Sequence, residues 1–192
     1  MPKTRVTIPI FVPHLGCPNT CVFCNQRVSA GRADPPASDE VRRKVQEYLP
    51  ALGPGVTRVE IAFFGGSFTA ISPSAQRALL APAAHYLAQG KIHGIRVSTR
   101  PDCVSPPALD LLAEFGVDTV ELGAQSFDDA VLAASCRGHS SDDVRTAFRA
   151  VRARGMKCVL QLMTGLPGDT RETAVWSARE AASLRPDGAR IY

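Results

Sequence analysis

The chain has 192 residues, 45% of them hydrophobic, with a formal net charge of +4. That is enough apolar material for one sizeable core and suits a single domain over residues 1–192. The basic excess comes without a dense Lys/Arg block, so nucleic-acid binding is permitted but not indicated. No stretch is long and apolar enough to span a bilayer, so no membrane partner is expected. The opening "MPKTRVTIPIFVPHLG" is broken by Pro9 and Pro13 and lacks a small-residue cleavage site, unlike a signal peptide. The expected compartment is therefore cytoplasmic, where a dense cysteine cluster binds metal or does chemistry rather than forming disulfides.

In chain order, strands and helices alternate. "RVTIPIFV" (Arg5 to Val12) reads as a strand, and a cysteine-bearing loop follows. Ser38 caps "DEVRRKVQEYL", where Val41, Val45 and Leu49 recur at helical spacing. "GRADPPAS" (Gly31 to Ser38) is read as the loop before it. "RVEIAFF" (Arg58 to Phe64) is a continuous apolar strand ending at Gly65-Gly66. Ser72-Pro73 opens a helix that Gly90 ends and Pro82 is expected to kink. "GIRVST" (Gly94 to Thr99) is the third strand, and Ser105-Pro106 opens a helix closed by Gly116. "VDTVELG" (Val117 to Gly123) is the fourth strand, followed by a helix from about Asp142 to Arg154. "KCVLQLMTG" (Lys157 to Gly165) is the fifth strand, Thr170 caps a helix to about Leu184, and "GARIY" (Gly188 to Tyr192) opens a sixth.

This alternation predicts parallel βαβ units, and continuous apolar strands fit a sheet covered on both faces. The expected fold is α/β: a partial TIM-like (β/α)6 barrel, truncated at the sixth strand. The sequence stops inside that strand, so a longer protein is expected, with its C-terminal part missing here.

Each strand is followed by its own cluster: "HLGCPNTCVFC", "GGSF", "TRPD", "GAQSF" and "TGLPG". In a parallel barrel all of these lie at the C-terminal rim, so residues spread along the chain converge on one mouth. The densest cluster is Cys17, Cys21 and Cys24. Thiolates suit zinc and iron–sulfur sites. Zinc held structurally wants four protein ligands, for which His14 is the available fourth. A [4Fe–4S] cluster on three cysteines instead leaves one iron open, and an open iron implies an exogenous ligand. Cys103, Cys136 and Cys158 are scattered singly and read as small buried hydrophobes.

The spacing C-x3-C-x2-C with Phe23 before the last cysteine resembles the radical S-adenosylmethionine (radical SAM) superfamily. "GGSF" (Gly65 to Phe68) is similar to its glycine-rich segment after the second strand. "STRPD" (Ser98 to Asp102), "VELGAQSFDD" (Val120 to Asp129), "RGH" (Arg137 to His139) and "TGLPGDT" (Thr164 to Thr170) resemble one branch of it. That branch includes the Elongator catalytic subunit and the oxygen-independent coproporphyrinogen oxidases. Eukaryotic Elongator has a longer gap between its first two cysteines and an acetyltransferase domain after the barrel. The chain looks more like the N-terminal part of a shorter, bacterial stand-alone member.

The resemblance implies a [4Fe–4S] cluster on Cys17, Cys21 and Cys24, with S-adenosylmethionine as second cofactor. It implies reductive cleavage of S-adenosylmethionine to a 5′-deoxyadenosyl radical that abstracts hydrogen from a substrate, with a tRNA base as the class suggested by Elongator. A low-potential donor, ferredoxin or flavodoxin, is the implied electron source. Phe23, Gly65, Gly66, Ser98, Arg100, Gln125, Ser126, Arg137 and Gln161 are the implied cofactor contacts. Gly65 and Gly66 let backbone approach the methionyl amino group. Gln125 and Arg137 serve the methionyl and ribose groups, and the guanidinium suits a carboxylate. Gln161 stands where the coproporphyrinogen oxidase branch has an acidic ribose ligand, and "GLPG" (Gly165 to Gly168) brings backbone near adenine. Arg100 has the competing option of pairing with Asp102. His139 is read as a surface or capping group, and Asp128-Asp129 as a helix start. The alternative from a different class is a non-catalytic zinc- or iron–sulfur-binding interaction module.

Overall fold

The computed structural model describes residues 4–12, 17, 19–24 and 38–192. Six strands form one sheet in sequence order: β1 (Arg5–Val12), β2 (Arg58–Gly65), β3 (Gly94–Thr99), β4 (Thr119–Gln125), β5 (Lys157–Leu162) and β6 (Gly188–Ile191). Every neighbouring pair is parallel. The helices are α1 (Ser38–Tyr48), α2 (Pro73–Ala88), α3 (Pro106–Glu114), α4 (Asp129–Ala134), α5 (Ser141–Ala153) and α6 (Arg171–Ser183). This is the expected α/β partial barrel. His14 and the predicted loop before Ser38 lie outside the described residues.

Helix starts follow local chemistry. The hydroxyls of Ser72 and Ser105 accept from the backbone amides of Ala75 and Ala108, each with proline next in sequence. Ser140 with Asp143, and Thr170 with Thr173, form reciprocal capping boxes. Helix α2 runs through Pro82.

The sheet has two unlike faces because side chains alternate along each strand. One carries Ile8, Ile10, Ile61, Phe63, Ile95, Val97, Val120, Leu122 and Leu160, all inaccessible to solvent and packed with the helices. The other carries Glu60, Arg96, Glu121, Gln161 and Arg190, joined by ion pairs and hydrogen bonds. The Arg190 guanidinium on β6 lies 5.4 Å from the centre of the Phe64 ring on β2. Across a flat sheet four strand spacings come to about 19 Å. The sheet is therefore curled, and the polar face is its concave side.

Two expectations need correction. The expectation is a sheet covered on both faces, but only the convex face is packed as an apolar core; the concave one carries a charged network beside Ala62 and Val159, and Phe11 on it is 48% exposed. Strand β4 runs over Thr119–Gln125, two residues later than predicted. Val117 is still in the turn, its amide bonded to the Leu112 carbonyl. A register shift between Leu122 and Gln125 carries the strand onward past Gly123.

Candidate functional site

The C-terminal ends of β2 to β5 and the cysteine segment enclose one cavity of about 110 Å³. Cys17, Cys21, Cys24, Asn19 and Phe23 line one side of it. Gly65, Gly66, Ser98, Arg100, Gln125, Arg137 and Gln161 line the rest, with Ser67, Thr99 and Gly123 between them. Of the predicted cofactor contacts only Ser126 does not line it. The Ser126 hydroxyl is 3.0 Å from that of Ser177 on α6 and accepts from the Asp128 amide at 3.1 Å. That residue braces β4 against a helix instead of reaching the cavity.

The cysteine segment is held at several points. The Val22 amide donates to the Ser135 carbonyl at 3.3 Å, and the Cys24 amide to the Cys21 carbonyl at 3.0 Å. At the end of β2 the Gly66 amide donates to the Val12 carbonyl at 2.8 Å. Gly65 has φ of 107°, and a Cβ there would run into the same Val12 carbonyl oxygen. The glycine thus lets β2 close against β1 just before the cysteines.

Local backbone geometry aims two side chains into the cavity. Gln125 has φ of 67°, rare for a residue with a side chain, directly after the β4 irregularity. Cys136, with φ of 54°, ends α4: its amide bonds the Ala133 carbonyl, and the Arg137 amide bonds the Leu132 carbonyl. This Schellman-type ending swings Arg137 inward. A Cβ on Gly123 would approach Gln125 Nε2 to 3.1 Å and Arg137 Nη2 to 3.4 Å, so the missing side chain leaves room for both.

Positive charge collects at Cys21. Its sulfur is 3.2 Å from Arg137 Nη1 and 3.8 Å from Arg100 Nη1. Arg137 Nη2 donates to the Gly123 carbonyl at 2.5 Å, and its guanidinium lies 5.9 Å from the Phe23 ring centre. Arg100 does take the competing option: it is bidentate with Asp102 at 2.9 and 2.8 Å and also donates to the Arg137 carbonyl. Burial would lower the Arg100 pKa, but the Asp102 carboxylate outweighs it and the pKa is raised.

Other residues, with no cofactor role implied by the sequence, also reach the site. Ser67 Oγ is 3.3 Å from Cys17 Sγ, and it lies beside the Cys103 thiol, whose pKa is pushed up by burial first and Asp102 second. Cys103 is thus a near neighbour of the cysteine loop. Cys158 is buried as expected, whereas Cys136 is exposed, a correction. His139 is buried, not at the surface. Its Nε2 is 3.2 Å from the Ala124 carbonyl oxygen, and burial followed by the Arg137 charge lowers its pKa to about 4. Asp128 and Asp129 do mark a helix start, Asp128 accepting from the amides of Ala130 and Val131.

The donor set can be tested against the two metal readings. Among the described residues no three His, Cys, Asp or Glu side chains gather as around one ion. A cluster carries its thiolates on separate irons, so three thiols spread over one wall suit it. Beside them, Gln125 Oε1 and Arg137 Nε are buried with no hydrogen-bond partner among the described residues. Orphaned polar atoms of this kind mark a site that a polar ligand completes. The residues therefore fit a [4Fe–4S] cluster with a polar, carboxylate-bearing co-ligand.

A curled parallel half-barrel with thiols, glycines and paired cations at its C-terminal rim defines a cluster-dependent class of α/β protein. A family model described as the radical SAM superfamily matches residues 11–181, and the chain belongs to that superfamily. Its members are enzymes that bind a [4Fe–4S] cluster and S-adenosylmethionine. A "tRNA uridine(34) acetyltransferase" of Dehalococcoides mccartyi is 26% identical, covering 96% of this chain and 48% of its own length. An oxygen-independent coproporphyrinogen III oxidase of Paracoccus denitrificans is 26% identical, covering 92% of this chain and 40% of its own. Among solved structures, the archaeal Methanocaldococcus infernus Elp3 superposes with a TM-score of 0.76 at 22% identity, over 100% of this chain and 46% of that one. The chain spans about half the length of the curated relatives it matches first. Among the described residues no helix is long and apolar enough to cross a membrane.

Proposed function

We propose that residues 1–192 are the core domain of a radical SAM enzyme in which Cys17, Cys21 and Cys24 hold the cluster. The observation that carries this reading is the convergence of the three thiols, Gly65-Gly66, Gln125, Arg137 and Gln161 on one cavity. When bound, the cluster and S-adenosylmethionine would supply the 5′-deoxyadenosyl radical chemistry that abstracts hydrogen. The chain binds, orients and shields. Arg137 is aimed at a carboxylate beside Cys21, the glycine backbone takes the methionyl amino group, and Gln125 and Gln161 accept from the remaining donors. Phe23, on the cavity wall, helps to keep water from a reactive primary radical. Arg100, tied to Asp102, anchors the Arg137 backbone and presents one remaining nitrogen to Cys21.

The substrate class we propose is a tRNA base. It rests on the similarity to a relative named for tRNA uridine(34) and to Elongator complex protein 3 of Schizosaccharomyces pombe. A ferredoxin or flavodoxin in the cytoplasm supplies the electron. The test is the EPR spectrum of anaerobically reconstituted, dithionite-reduced protein with and without S-adenosylmethionine. A reduced [4Fe–4S] signal that shifts on adding S-adenosylmethionine, and is absent from Cys21→Ala, is the expected result. A signal indifferent to S-adenosylmethionine refutes the reading and restores the interaction module.

A further inference from the structure

Behind the cavity lies a side chain that none of the roles above uses. Glu121, on β4, is wholly buried. Its Oε1 accepts from Arg96 Nη1 at 2.6 Å and Arg190 Nη2 at 3.0 Å. Its Oε2 accepts from Gln161 Nε2 at 2.7 Å and, more weakly, from Ser98 Oγ at 3.4 Å. Gln161 and Ser98 both line the cavity, while Glu121 does not.

A carboxylate offers only acceptors, whereas an amide has a donor end and an acceptor end. Beside Glu121, Gln161 must therefore turn its NH2 inward, whichever way the amide is drawn. The end left for the cavity is its carbonyl oxygen. Donation to a charged acceptor further polarises the amide and strengthens that oxygen as an acceptor. Arg96 and Arg190 compensate the buried charge, and the carboxylate itself stays off the cavity wall.

The rim gives this acceptor a direction. The thiols follow β1, the glycines end β2, and Gln161 stands on β5, at the far side of the curl. A ligand whose amino-acid end sits by the cysteines reaches Gln161 with its sugar. We propose that Glu121 is a positioning residue for S-adenosylmethionine: by anchoring the Gln161 NH2 it presents the amide oxygen to a ribose hydroxyl. This rests on the radical SAM reading and adds a specificity device to it.

The test is equilibrium dialysis of reconstituted, unreduced protein, so that no turnover is needed. The ligands are S-adenosylmethionine and its 2′-deoxy and 3′-deoxy analogues. A site built to bond a hydroxyl rejects the analogue lacking it. Wild type is expected to prefer S-adenosylmethionine over one of the two analogues by about 10-fold or more. Gln161→Leu removes the acceptor. Glu121→Asp keeps the charge near Arg96 and Arg190 but draws the carboxylate back from Gln161, which spares folding. In both, the preference should shrink to within about 3-fold, while affinity for that analogue stays near wild type. The double variant should lose no more than Gln161→Leu alone. Undiminished preference in Glu121→Asp, or parallel weakening of all ligands, overturns the proposal and leaves the radical SAM reading standing. Failure of wild type to bind S-adenosylmethionine at all overturns both.

Discussion

The two faces of this one sheet obey different rules. On the convex face the side chains are interchangeable in kind: Ile8, Ile61, Phe63, Val97 and Leu160 matter by volume and by removal from water. On the concave face each charged side chain of the network has a named partner. Glu60 is gripped by Arg58 at 2.6 Å and Arg96 at 2.9 Å, which hold its carboxyl below the usual range although burial alone would raise it. Glu121 has four donors. The convex face makes the fold stable. The concave face and its rim carry the directionality that a ligand needs.

The contrast can be broken from either side. The largest stability effect should come from the convex face. Phe63→Ala removes a fully buried ring that packs 5.0 Å from Phe68, and it should cost about 3–5 kcal/mol in urea unfolding. The folded fraction should still bind S-adenosylmethionine normally; weakened binding there would show that the faces are not separable.

The next effect is pH-dependent and belongs to the rim. His139 has a pKa of about 4 against an ordinary 6.5. Well above pH 6.5 it is neutral whether the chain is folded or not. As pH falls from 6.5 to 4 the unfolded chain takes up a proton that the native one refuses, so stability is lost across that window. The loss amounts to about 3 kcal/mol. Urea unfolding of wild type and His139→Gln at pH 7.5, 5.5 and 4.5 should show a shallower decline in the variant. Equal slopes would remove His139 from the account.

Gly65→Ala sits where the faces meet. Its positive φ and the collision of a Cβ with the Val12 carbonyl should cost about 1–3 kcal/mol. Because the same contact sets the entry to the cysteine segment, iron content per chain should fall as well. Loss of stability with full iron loading would confine the glycine to a turn. The smallest effect is expected for Ser126→Ala, which breaks the bracing bond to Ser177. It should cost about 1 kcal/mol with unchanged affinity for S-adenosylmethionine; weakened affinity would return Ser126 to the site.

What was legible in the sequence follows the same division. Apolar periodicity, Ser-Pro helix starts and glycine stops placed six strands and the order of their connections, because each signal is local. The rim was legible because cysteines, glycines and polar residues recur after successive strands. The concave charges were not. Glu60, Arg96 and Glu121 sit singly in apolar strands, and nothing local says that curling brings β6 over β2. His139 and Ser126 were misplaced for a related reason: a histidine or serine looks the same whether it faces solvent, a helix or a cavity. The irregularity in β4, which carries the strand past Gly123 and aims Gln125, has no composition signal beyond Gly123.

The central claim, that the cysteine loop and the rim form one radical-generating site, meets its most direct test in product analysis. Anaerobically reconstituted protein is mixed with dithionite and S-adenosylmethionine, and 5′-deoxyadenosine is quantified by mass spectrometry, with Cys21→Ala in parallel. The account predicts 5′-deoxyadenosine from wild type and none above the protein-free control from the variant. Iron-loaded wild-type protein that forms no 5′-deoxyadenosine, or equal amounts from both proteins, would contradict it.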